Sequence, residues 1–76
     1  MPRDMVATLT ARYRFGLLVK ARDKSGTNNS QIARDTEISR PKIIEVMNGE
    51  STNVDHIRAV ADLLGVDMSD LFAKAA

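Results

Sequence analysis

The chain has no cysteine and no tryptophan, and among its 76 residues there are one histidine, one tyrosine, two phenylalanines and two prolines. Each shortage removes a class of protein. Without cysteine there is no disulfide scaffold and no thiolate metal site, and the composition suits a reducing compartment. The lone His56 has no second ligand one helical turn away on either side, so it reads as a surface histidine. Neither a metal centre, a cofactor nor an enzymatic activity is expected. No apolar run approaches the roughly 20 residues that cross a bilayer. The opening MPRDMVATLT also lacks the apolar stretch of about 7–15 residues that marks a signal peptide. The expectation is a cytoplasmic protein with no membrane partner. Strand signals are missing too: there is no sustained alternation of period two and no hairpin turn between β-branched runs.

What remains is a short, helix-forming chain. Its length allows one domain, residues 1–76, with residues 1–13 as an N-terminal extension or the beginning of the first helix. Hydrophobic content of 43% is too high for a disordered chain and enough for a thin core. The net charge of +1 hides a gradient along the chain. Residues 1–24 carry six cations against Asp4 and Asp23, a balance of +4. Residues 50–76 carry Arg58 and Lys74 against five carboxylates, a balance of −3. Such polarity suits a basic face for a polyanion and an acidic face turned away from it, or simply a charge-mixed solvated surface.

Caps divide the chain into helical units. The first is expected to begin near Asp4 and to run through Leu9, Tyr13, Leu17, Leu18 and Ala21 to about Lys24, with Gly26 as the left-handed terminator. Asn28, with Gln31 three residues later, has the form of a capping box opening NSQIARDT. Ser39 or Arg40 opens a third unit, because Pro41 belongs in a first turn but restricts the residue before it. Asn48-Gly49 closes that unit after barely two and a half turns. Asn53 caps VDHIRAVADLLG, with Val54, Ile57, Ala61 and Leu64 as its apolar stripe, and Gly65 ends it with Val66 folding back. Asp67 and Asp70 frame a short fifth unit holding Met68, Leu71 and Phe72. Five helices with short connections predict an all-α domain.

The second and third units are spaced as a helix-turn-helix at about residues 28–48. Here NSQIARDTEISRPKIIEVMNG, followed by NVDHIRAVADLLGVDMSDLF, resembles the Cro/repressor-type (Xre-like) DNA-binding domain over roughly residues 14–73. The matching features are Ile32-Ala33 in the second helix, Ile38 in the turn, Ile43 and Val46 in the third, the terminating Asn48-Gly49, and LLGVDMSDLF. The resemblance implies a compact, lambda-repressor-like fold of five helices that places the third helix in the major groove of double-stranded DNA.

By that analogy Arg40, Pro41, Lys42 and Glu45 touch bases or nearby phosphates. Ile44 is either a core margin or a groove contact. Asn29 falls where the family grips a phosphate through a side chain and a helix N-terminus. Asn48 and the Ser51-Thr52 loop fall where backbone amides meet another phosphate. The chain also departs from the family. Glu37 stands where the turn usually has glycine. Met47 replaces a glutamate that often pairs with an arginine at the position of Arg22, which leaves Arg22 for a phosphate or another carboxylate. Glu50 stands where Lys or Arg is favoured.

Blander readings apply to the rest. Asp55, Asp62, Asp67 and Asp70 read as caps and solvated carboxylates rather than an acid–base pair. Met5, Met47 and Met68 read as core or interface filler. The function implied is a phage or prokaryotic repressor that binds a palindromic operator as a homodimer. Helix five (Leu71, Phe72) or the N-terminal extension (Met5, Leu9, Tyr13) would supply the dimer contact. Two alternatives stay open: an antitoxin-type DNA-binding protein with a toxin partner, and a protein-interaction module that has lost DNA binding.

Overall fold

In the computed structural model, residues 13–72 are described. Among them are five helices: α1 (Phe15–Ser25), α2 (Asn29–Thr36), α3 (Arg40–Met47), α4 (Val54–Leu64) and α5 (Met68–Leu71). Local chemistry sets most of the boundaries. Gly26 (φ 79°) and Gly65 (φ 76°) both adopt the left-handed conformation that closes a helix. After Gly65, the Val66 N–H donates to the Ala61 carbonyl at 2.9 Å, which completes the reversal expected from the sequence.

Asn28 caps α2 by accepting from the Gln31 N–H at 2.9 Å, and Asn53 caps α4 by accepting from the His56 N–H at 3.1 Å. The capping box at α2 is only half formed. Gln31 does not reach back to Asn28; its side-chain amide donates instead to Asp35 one turn along, at 2.8 Å. Asp67 caps α5 by accepting from the backbone N–H and the hydroxyl of Ser69, both at 2.9 Å. These two donors hold its carboxyl below the usual carboxylate range.

The beginning of α1 differs from the expected continuous helix. Arg14 (φ −85°, ψ 72°) is not helical, and the helix opens at Phe15. The Arg14 N–H, which a longer helix would have bonded within itself, and the Tyr13 side chain both find tertiary partners. The Arg14 N–H donates to the Leu71 carbonyl at 2.9 Å, and the Tyr13 hydroxyl donates to the Val46 carbonyl at 2.7 Å. Local periodicity could not reveal either bond. The cap at Asp4, with Met5 and Leu9, lies outside the described residues.

The core joins all five helices through Leu18, Ile32, Ile43, Val46, Ile57, Val60 and Leu71, each with almost no exposure. Met47, Ala61 and Tyr13 complete it among the described residues. On α4 the buried stripe is Ile57, Val60 and Ala61, while Val54 is exposed. Ideal helix geometry turns Val54 about 70° away from the centre of that stripe, so it falls at the edge. Two residues expected at a dimer contact, Tyr13 and Leu71, are committed to this core. Phe72 alone of the described candidates remains exposed, with its ring 5.9 Å from that of Tyr13.

Candidate nucleic-acid interface

Helices α2 and α3 are joined by Glu37, Ile38 and Ser39. Glu37 (φ 60°, ψ 29°) is the only residue other than glycine at positive φ among the described residues. It therefore occupies the left-handed turn position that favours glycine. The chain then turns inward, with the Ile38 N–H donating to the Ala33 carbonyl at 3.2 Å and Ile38 packed against the core. Ser39 is the cap of α3, since its carbonyl accepts the first intrahelical bond, from the Ile43 N–H at 3.1 Å. Pro41 then occupies the first turn, where its missing N–H costs nothing.

The inner face of α3 is buried at Ile43, Val46 and Met47. Its C-terminal end is tied down by Tyr13, whose hydroxyl takes the Val46 carbonyl. Burial pushes the Tyr13 hydroxyl pKa up, against the opposing pull of the Ser51 backbone N–H, and the nearby Glu50 and Glu45 carboxylates add to the rise. A short helix buried along its inner face and held at its C-terminal end in this way presents a fixed outer face. Arg40, Pro41, Lys42 and Ile44 are exposed there, and Glu45 is half-buried. Lys42 Nζ lies 3.9 Å from Glu45 Oε1, so the two charges partly offset each other. A pair so long and exposed stabilises by only a few tenths of a kcal/mol and is readily given up.

A second cluster forms where three helices meet. Arg22 and Asp23 come from the end of α1, Thr27 to Ser30 lead into α2, and Arg40 comes from the start of α3; together they line an open cleft of about 400 Å³. Arg22 Nε is 3.1 Å from Asp23 Oδ1, while its Nη1 donates to Asn29 Oδ1 at 3.0 Å. Arg22 has thus found a carboxylate other than the absent family glutamate, and Met47 fills that glutamate's place as a buried apolar side chain. Asp23, which in the sequence stands only as part of the charge balance, is that carboxylate. The only signal for the Arg22–Asn29 contact was the turn at Gly26, which brings the end of one helix against the beginning of the next.

The loop after α3 divides its roles. Asn48 is exposed at the end of the helix, and Gly49 (φ 77°) turns the chain beneath Phe15. Ser51 is buried and its hydroxyl accepts from the Asn53 N–H at 3.2 Å, whereas Thr52 is exposed. Asp55, Asp62 and Asp70 are exposed on α4 and α5. No helix among the described residues is long and apolar enough to cross a membrane.

Two short helices across a tight turn, the second buried on one side and exposed on the other, define a helix-turn-helix of the kind that places one helix in a DNA groove. The chain belongs to the Cro/C1-type HTH DNA-binding domain family, which matches residues 17–73. No curated protein and no solved structure gives a significant match. Membership makes the protein an all-α DNA-binding regulator, in agreement with the resemblance in the sequence.

Proposed function

We propose that this protein is a sequence-specific transcriptional repressor that binds a palindromic operator in double-stranded DNA as a homodimer, in the cytoplasm of a prokaryote or in a phage-infected cell. One observation carries this reading: α3 buries its inner face completely and leaves Arg40, Pro41, Lys42, Ile44 and Glu45 on its outer side, in a family whose domains bind DNA. Lys42 and Arg40 supply donors for guanine O6 and N7 or for phosphates, Ile44 an apolar contact for a thymine methyl, and Glu45 an acceptor for cytosine N4. Asn29, Asn48 and Thr52 flank the helix and serve the sugar–phosphate backbone, with Arg22 bonded behind Asn29.

A single module of this kind covers roughly 600–1,000 Å² of interface. That area is small for tight specific binding, so two-fold pairing is the natural remedy. Phe72 offers a second copy an exposed apolar contact. Selection of bound sequences from randomised duplexes tests the reading. It should return inverted half-sites whose centres lie about 10–10.5 bp apart. Recovery of duplexes with no shared sequence, or of a single unpaired site bound by a monomer in ultracentrifugation, would overturn the specific, dimeric reading. Failure to bind any duplex would favour a module that binds protein, of antitoxin or other type.

A further inference from the structure

The hydrogen bond between Arg22 and Asn29 has a chemical direction. A guanidinium carries five N–H donors and no acceptor. The atom of Asn29 facing Arg22 Nη1 at 3.0 Å must therefore be its carbonyl oxygen, Oδ1. The same planar amide then turns its NH₂ group, Nδ2, away from Arg22. Among the described residues no group accepts from Nδ2, and Asn29 lines the cleft that Arg40 enters from the opposite helix. Asp23 meets the other side of the guanidinium, Nε to Oδ1 at 3.1 Å, so the fork has a partner on each side.

We propose that Arg22 is a positioning residue. It locks the Asn29 amide with its NH₂ group facing the cleft, so that Asn29 donates to a DNA phosphate, and Asp23 braces it in that role. This rests on the DNA-binding reading above and adds the donor polarity and its cause. An amide free to flip presents its carbonyl about half the time, and a carbonyl dipole repels a phosphate. Halving the competent fraction doubles the apparent Kd per subunit, or about fourfold for a symmetric dimer. The account also separates Arg22 from a direct phosphate ligand: its charge is already matched by Asp23, and its effect should pass wholly through Asn29.

The test is a double-mutant cycle on the full chain with a selected duplex at fixed salt. The first arm combines Arg22→Met with Asp23→Asn, which leaves the net charge unchanged, and the second is Asn29→Ala. The first arm should weaken binding about fourfold in the wild-type background and not at all once Asn29 is alanine. Equal losses in both backgrounds, or no loss in either, would overturn the proposal. Asn29→Asp gives an independent reading, because it keeps an acceptor for Arg22 and places a carboxylate at a helix N-terminus, both of which preserve folding. It has no donor for the cleft, so binding should fall about tenfold or more, alike on all sequences, with the unfolding midpoint held or raised. Unchanged affinity for Asn29→Asp would equally sink the donor role. Wild-type protein that binds no duplex would instead count against the DNA-binding reading, which keeps the two failures distinct.

Discussion

Glu37→Gly should make this protein more stable, and the structure says by roughly how much. Glu37 sits at φ 60°, ψ 29°, with its side chain exposed. A residue with a Cβ in that conformation carries about 1–2 kcal/mol of strain. Glycine removes the strain but gains freedom in the unfolded chain, which offsets about 0.4–1 kcal/mol of the benefit. The net gain is then about 0.5–1 kcal/mol, which in a domain of this size raises Tm by about 2–8 °C. A second effect must be separated from the first. The glutamate lies at the C-terminal end of α2, where negative charge is disfavoured by a few tenths of a kcal/mol. Glu37→Ala removes the charge and keeps the strain, so it should lie within about 0.5 kcal/mol of wild type. Urea unfolding followed by circular dichroism, with an unchanged m-value, measures both. A Glu37→Gly protein no more stable than Glu37→Ala would refute the claim that the backbone is strained there.

Tyr13→Phe deletes the 2.7 Å bond to the Val46 carbonyl inside the core and should cost about 1–2 kcal/mol in urea unfolding. Because burial raises the folded pKa of Tyr13 above its ordinary value of about 10, its contribution is complete below that pH and is lost as pH climbs toward the folded value. Tyr13→Phe should lose that share of the alkaline decline, and identical curves for the two proteins would contradict it. At Gly49 (φ 77°), an added Cβ would lie 2.5 Å from Phe15 Cδ1, so Gly49→Ala should destabilise by at least about 1–2 kcal/mol. Part of that loss should vanish in a Phe15→Ala background, whereas strictly additive losses would mean that the ring is not in the way. Glu45→Ala should tighten nonspecific binding while removing about 1–3 kcal/mol of discrimination at one C·G pair per half-site. Selections that return the same base preferences for wild type and Glu45→Ala would end the readout role of Glu45.

The parts of the fold that could be read from the sequence are those with a local cause. Gly26, Gly49 and Gly65 mark left-handed turns, Asn28, Asn53 and Asp67 mark caps, and the inward face of α3 follows from helical spacing alone. Glu37 was legible as a strained position only because the resemblance supplied a glycine to compare it with. The misreadings have non-local causes. Tyr13 sits in an apolar helical pattern, yet its hydroxyl is claimed by Val46, 33 residues away. Leu71 has the look of an interface residue in a short amphipathic helix, yet it is fully buried in the core. At the interface, spacing marked which residues of α3 face outward. The pairing of Lys42 with Glu45, three residues apart on one helix, lies within reach of spacing, but the reach of Arg22 to Asn29 does not, because it depends on how α1 and α2 meet.

The central claim is that the α2–α3 unit grips double-stranded DNA through its backbone phosphates and positions α3 in the groove. Its most direct test is the affinity for a selected duplex measured across a series of salt concentrations. A dimer that neutralises about six phosphates should give a slope of log K against log salt of roughly −5. A slope near zero, or no binding to any duplex at low salt, would contradict the account.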